Sequence, residues 1–263
     1  MHDKPIVSAF MTDQQALDLR SEPSRPPSAD ASLFGNIPRV LWLAAAATGV
    51  LLVVDLATQG YNEYVASLPA GTWLFNVNAE GNLATWWNST LLLSVAGVAL
   101  VAAALTGRGP GPSRLSWLGL SAMAALLSID ESIEVHERLG EVGSEWTDSL
   151  GTSVPTYAWV LPGAVVAVAG TVCAVLWARS LPRDLRYGLL GSLATYLTGA
   201  LLVESFNGWA LHQGHKAVNA LGTRVEEGLE MGACLLALAV LARYVLLERD
   251  PESGRATVRL REQ

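Results

Sequence analysis

Two stretches of the chain repeat one spacing of acids, acid-acid-x-x-acid: Asp130, Glu131 and Glu134 in the first, Glu226, Glu227 and Glu230 in the second. Residues three and four apart share one face of a helix, so each stretch would gather its carboxylates on one side. Glu204 supplies a seventh acid, and His136, His212 and His215 stand close by in sequence. Carboxylates combined with imidazole suit divalent ions such as iron, manganese or zinc. With an open coordination position such an ion supports hydrolysis or redox chemistry. The expected ligands are Asp130, Glu131, Glu134, Glu204, Glu227 and Glu230, with His136 and either His212 or His215 as imidazole donors. No residue is singled out as catalytic.

The elements that must carry these acids are apolar. Hydrophobic residues make up 51% of the 263-residue chain, charged residues only 16%, and the mean hydropathy is +0.33. Soluble domains carry about a quarter charged residues. The apolar runs reach the roughly 20 residues that a membrane-crossing helix needs. The fold class expected is therefore all-α, a polytopic integral membrane protein with about six transmembrane helices. The spans fall at about 38–58, 86–106, 115–139, 156–178, 187–211 and 224–247. The third is read as one helix that begins apolar and runs without a break into its acids.

Of the 17 Lys and Arg, 14 fall in the N-terminal tail, the 107–114 and 179–186 turns and the C-terminal tail, while Arg138, Lys216 and Arg224 fall on the opposite side. The positive-inside rule then puts both termini in the cytoplasm. This gives a cytoplasmic N-terminal tail at 1–37, Pro/Ser-rich and disordered by composition. A six-helix transmembrane domain follows at 38–248, and a cytoplasmic C-terminal tail at 249–263. The localisation expected is the cell (inner) membrane, multi-pass. The long outer loop at 59–85 carries Trp73 and Phe75 and reads as an interfacial aromatic belt or a cap.

At a rise of about 1.5 Å per residue, Asp130 and Glu131 stand roughly 22–24 Å above the cytoplasmic end of the third span, and Glu204 and Glu230 roughly 26 Å above theirs. One layer of acids in the outer half of the bilayer results. Like charges in a low dielectric cannot all ionise unpaired, so they share protons, pair with bases or hold a cation.

Three other readings are weighed against the metal site. Intramembrane acids serve proton- or cation-coupled transporters, but the inner halves of all six spans are apolar. Haem held by His136 and His212 or His215 is less attractive among so many acids. An accessory subunit would pair the acids with Arg138, Arg224 and a partner membrane chain or second copy. The bilayer itself is the one partner that composition demands, and nothing basic and aromatic suggests nucleic acid. Cys173 and Cys234 sit in apolar runs without a pairing pattern. The Glu-x-x-His pair of di-iron carboxylate proteins is missing, since Ile133 stands three residues before His136.

Overall fold

The computed structural model describes residues 38–107, 112–249 and 256–260. The proposed N-terminal tail and part of the 107–114 turn lie outside these residues. Helices α1 (Arg39–Tyr64), α2 (Leu83–Leu105) and α3 (Arg114–Ile133) are followed by α4 (Val135–Ser149) and α5 (Val160–Ala178). Then α6 (Arg183–Leu197), a π-helical segment (Thr198–Val203) and α7 (Glu204–His212) run on as one rod, and α8 (Lys216–Tyr244) closes the bundle. Four helices are long and apolar enough to cross a membrane: Arg39–Tyr64, Leu83–Leu105, Val160–Ala178 and Arg183–His212. The other two long elements, α3 and α8, carry the two acidic motifs.

The helical class expected from the sequence holds, with one addition. Val245–Arg249 and Ala256–Leu260 pair as a short antiparallel ribbon, Val245 opposite Leu260, where a solvated tail was expected. Apolar and polar residues alternate in ATVRL, as a strand allows, and the helix ends at Tyr244 just before the first strand.

The interior is built from small side chains. Ala96, Ala99, Ala102 and Ala103 of α2 are buried with Trp117 of α3 and Met231, Cys234, Leu238 and Leu241 of α8. Small residues let helix backbones approach, and hydroxyls then stitch them together. Ser89 Oγ and Ser128 Oγ lie 2.8 Å apart, Ser121 Oγ donates to the Ala96 carbonyl at 2.9 Å, and Ser192 Oγ donates to the Ala233 carbonyl at 2.7 Å. The outward faces are the reverse of a soluble protein's. Val40, Leu43, Val50 and Val53 on α1 and Val165, Val166, Val168 and Val172 on α5 are all exposed. Apolar surface on this scale needs a non-aqueous neighbour.

The third predicted span is not one helix. Glu134 adopts the left-handed conformation, φ 56° and ψ 47°, and divides α3 from α4. A residue with a Cβ rarely sits there, and the break has a local cause. The Asp130 carboxylate reaches past Glu134 and accepts the His136 backbone N–H at 2.8 Å. It thus caps α4, satisfying one of the amide donors that a helix start leaves open. The 139 boundary therefore moves back to Ile133, and α4 leaves as a separate, strongly amphipathic helix.

Gly143 seats α4 against the turn before α5 so closely that a Cβ would run into the Ala158 carbonyl, whereas Gly140, one turn earlier, has open space. Gly143→Ala should therefore cost about 1–3 kcal/mol as an overpacked contact. Gly140→Ala should gain roughly 0.5–1 kcal/mol, as glycine removal from a helix interior does. Thermal unfolding of the two variants checks the pair, and equal effects would show that α4 is not seated there.

Candidate metal centre

Asn82 sets the outer edge of the site. Its Oδ1 accepts the N–H groups of Ala84 at 2.9 Å and Thr85 at 3.3 Å, starting α2. Its Nδ2 donates to the carbonyls of Asn76 and Ala79, each at 2.6 Å, and of Trp73 at 3.3 Å. One side chain thereby closes the segment before α2 into a compact cover. Asp55 of α1 pins the same cover from below: its Oδ1 accepts the Val77 N–H at 3.1 Å, and its Oδ2 lies 2.6 Å from Arg224 Nε of α8. The Arg224 N–H is not aimed along that line, so the pair is held by charge more than by a directed hydrogen bond. Asp55 is fully buried.

Inside this frame several carboxylates interact through charge. Glu131 of α3, Glu204 of α7 and Glu226, Glu227 and Glu230 of α8 lie within electrostatic reach of one another. Gly199 allows this, since its Cα faces α8 where a Cβ would stand 3.0 Å from the Glu226 carbonyl and 3.1 Å from Glu230 Cγ. Glu226, outside the ligand set expected from sequence, belongs to the group through its charge interaction with Glu204.

His136, Glu204, Glu226 and Glu230 each have a supporting partner. His136 Nδ1 lies 3.0 Å from Asp130 Oδ2, and its ring packs edge-on to Trp159 with centroids 4.8 Å apart. Trp159 Nε1 donates to Glu204 Oε1 at 2.8 Å, and Asn207 Nδ2 donates to Glu226 Oε2 at 2.7 Å. Asn88, completely buried on α2, donates to Glu230 Oε2 at 3.3 Å. The Glu227 Oε2, by contrast, is buried and without a partner. The neutral residues Asn88, Asn207 and Trp159 were not legible as site residues, because single amides on helices and an indole in the turn before α5 have no spacing signature.

Glu134 sits in the left-handed link and faces Glu80 of the cover. Partial desolvation of the Glu80 carboxyl, with Glu134 and Glu137 adding to it, holds that group above the ordinary carboxylate range. His212 and His215 do not join the acids. His212 ends α7, Gly214 turns the chain with φ 79°, and His215 precedes α8, so the two are separated by a turn and do not share a helical face. Both are exposed, and the His215 ring lies 6.4 Å from that of Trp209.

The cations that could balance the acids are already engaged or turned away. Arg224 faces Asp55 and His136 faces Asp130, while Arg138 and Lys216 are exposed. The surroundings fit a metal centre in one respect: ligating histidines and carboxylates are held by such outer hydrogen bonds. In another they do not: among the described residues no three His, Cys, Asp or Glu side chains have their donor atoms gathered about a common point.

The bundle and its acidic interior thus define a helical protein with four helices suited to crossing a membrane. Residues 40–245, which include all of this site, match the domain of unknown function DUF8692, and the chain belongs to that family. No curated protein and no solved structure matches it.

Proposed function

We propose that this is an integral membrane protein of six spans, both termini cytoplasmic, that holds a divalent metal ion in the outer half of the bilayer. His136, Glu131, Glu204, Glu226, Glu227 and Glu230 would hold it, and Asp130, Trp159, Asn207 and Asn88 would orient them. One observation carries the reading. Acids from α3, α7 and α8 interact through charge, His136, Glu204, Glu226 and Glu230 each have an outer partner, and among the described residues no Lys or Arg forms an ion pair with them. With Nδ1–H given to Asp130, His136 keeps Nε2 for an ion, the carboxylate–histidine arrangement that raises ligand basicity. Carboxylate and imidazole donors favour manganese, iron or zinc. Such an ion would supply Lewis-acid or redox chemistry to a small substrate arriving from outside.

Two rivals from the sequence are less favoured. Below the acids the bundle is filled by Ala99, Ala102, Trp117, Leu238 and Leu241, which gives a transported ion no polar path. A subunit whose acids pair with Arg224 loses that partner to Asp55.

Elemental analysis of the purified protein, with thermal unfolding in added Mn²⁺, tests the metal; a protein that carries no metal and gains no stability from it has no such site. Topology has a separate test in a Cys173→Ser background. Ser67→Cys should react with a membrane-impermeant thiol reagent in intact cells and Ser113→Cys should not. The reverse pattern would turn the acids to the cytoplasmic side.

A further inference from the structure

Where α1 begins and α8 ends, a crevice with only apolar walls separates the two helices. Leu41, Trp42 and Ala45 of α1 line one side, Leu235, Leu236 and Ala239 of α8 the other, around a space of about 180 Å³. The helices run antiparallel and close up further along, where a Cβ on Gly228 would stand 3.5 Å from Leu52 Cδ1. There α1 is also fastened, by Trp87 Nε1 donating to Thr48 Oγ1 at 2.8 Å and by Asp55 facing Arg224. Toward Arg39 the small side chains of Ala45 and Ala239 leave the gap. Trp42 is 57% and Leu236 42% exposed, so the crevice opens outward and not into the core. Water finds no partner between such walls, and a hydrocarbon does.

The end of the crevice is basic. Arg243 stands in the last turn of α8, four residues after Ala239 and seven after Leu236, so it continues the helix face that lines the gap. Arg39 opens α1 three residues before Trp42, at the same end of the antiparallel pair. Among the described residues neither arginine forms an ion pair. We propose that the crevice binds an anionic phospholipid, one acyl chain lying between α1 and α8 and the phosphate held by Arg39 and Arg243. A guanidinium meets phosphate oxygens through two parallel hydrogen bonds, and an indole such as Trp42 sits well at headgroup level. A zwitterionic lipid brings its own cation beside the phosphate and gains less from the arginines. Both arginines lie on the side expected to face the cytoplasm, where anionic lipids draw bases to the surface. The site rests on the membrane reading of α1; it shares no residue with the acids and needs no metal.

Full-length protein, stripped of lipid in detergent, is titrated with phosphatidylglycerol or with phosphatidylcholine of identical chains, and native mass spectrometry counts the lipids retained. The parent should hold one phosphatidylglycerol about twentyfold more tightly than phosphatidylcholine, the combined pull of two arginines on an anionic lipid. Arg243→Gln and Arg39→Gln should each weaken phosphatidylglycerol by about fivefold, one arginine's share, and leave phosphatidylcholine unchanged. Arg183→Gln, an exposed arginine at the start of α6, should change neither. Ala239→Phe and Ala45→Phe fill the crevice from opposite walls, and each should weaken both lipids. Equal binding of the two lipids by the parent, or arginine variants that bind like it, would overturn the headgroup site. Crevice-filled variants that retain lipid as the parent does would place the lipid elsewhere and overturn the proposal. Glycerol phosphate that displaces the lipid at equal concentration would overturn it too, since the site would then take a free phosphate. A membrane-fraction protein that retains no phospholipid overturns the site alone, whereas a protein recovered from the soluble fraction overturns the membrane reading beneath it.

Discussion

Replacing Arg224 with methionine should destabilise the folded protein by about 3–5 kcal/mol, the range for removing one partner of a buried ion pair. Asp55 has no solvent exposure, so once Arg224 is gone its charge has no water to turn to. The loss should not stop at one contact, because Asp55 also holds the cover through the Val77 N–H. Asp55→Asn combined with Arg224→Met should recover much of the stability, since a matched neutral pair avoids the stranded charge and an asparagine Oδ1 still accepts from Val77. Unfolding of the detergent-solubilised single and double variants gives the comparison. A cost below about 1 kcal/mol for Arg224→Met, the range of solvent-screened pairs, would mean that water reaches Asp55.

The second large effect belongs to the acids themselves, and its sign depends on the metal. Without metal, Glu131→Gln and Glu230→Gln each remove one like charge from a crowded group. Each variant should then be as stable as the parent or more so. With Mn²⁺ at about a hundred times its Kd, the parent should gain about 2.7 kcal/mol, because the ion binds only the folded state. For a chain of this size that is several degrees in Tm, at roughly 2–4 °C per kcal/mol. Both variants should lose most of that gain. The crossing of the two series is the informative result, since an acid serving only packing would lower stability equally with and without metal. Parent and variants that all ignore Mn²⁺ would show that the carboxylates are held by protons alone.

Much of this architecture could be read from residue types. The apolar runs gave the helices, and the acid-acid-x-x-acid spacing marked the acids at the end of α3 and on α8. Four features escaped for physical reasons. The helix break at Glu134 depends on a carboxylate six residues from its target, a contact that periodicity does not encode. His212 and His215 satisfy an i,i+3 rule only if the helix continues, and Gly214 ends it. Nothing in the sequence marks Asp55, because its partner lies 169 positions further along the chain on α8. Asn88, Asn207 and Trp159 act singly, on α2, on α7 and in the turn before α5, and only the packing reveals what they face.

The π-helical segment also sets a phase. Along the rod from α6 to α7, the side turned to α8 advances through Leu185, Leu189, Ser192, Tyr196 and Gly199, in the alternating steps of four and three that track one face of an α-helix. Continuing in the same rhythm, the next position would be Leu202 or Val203, and Leu202 is in fact 69% exposed. The wider i to i+5 turn of Thr198–Val203 instead brings Glu204 into line after Gly199, with Asn207 three residues later. One residue corresponds to about 100° of rotation about a helix axis. A rod of unbroken α-helix with the same sequence would therefore hold its outer third rotated by that angle, with Glu204 swung away from Glu226 and Leu202 drawn toward it. The position of a single hydrogen-bond register shift decides which side of this helix carries charge inward.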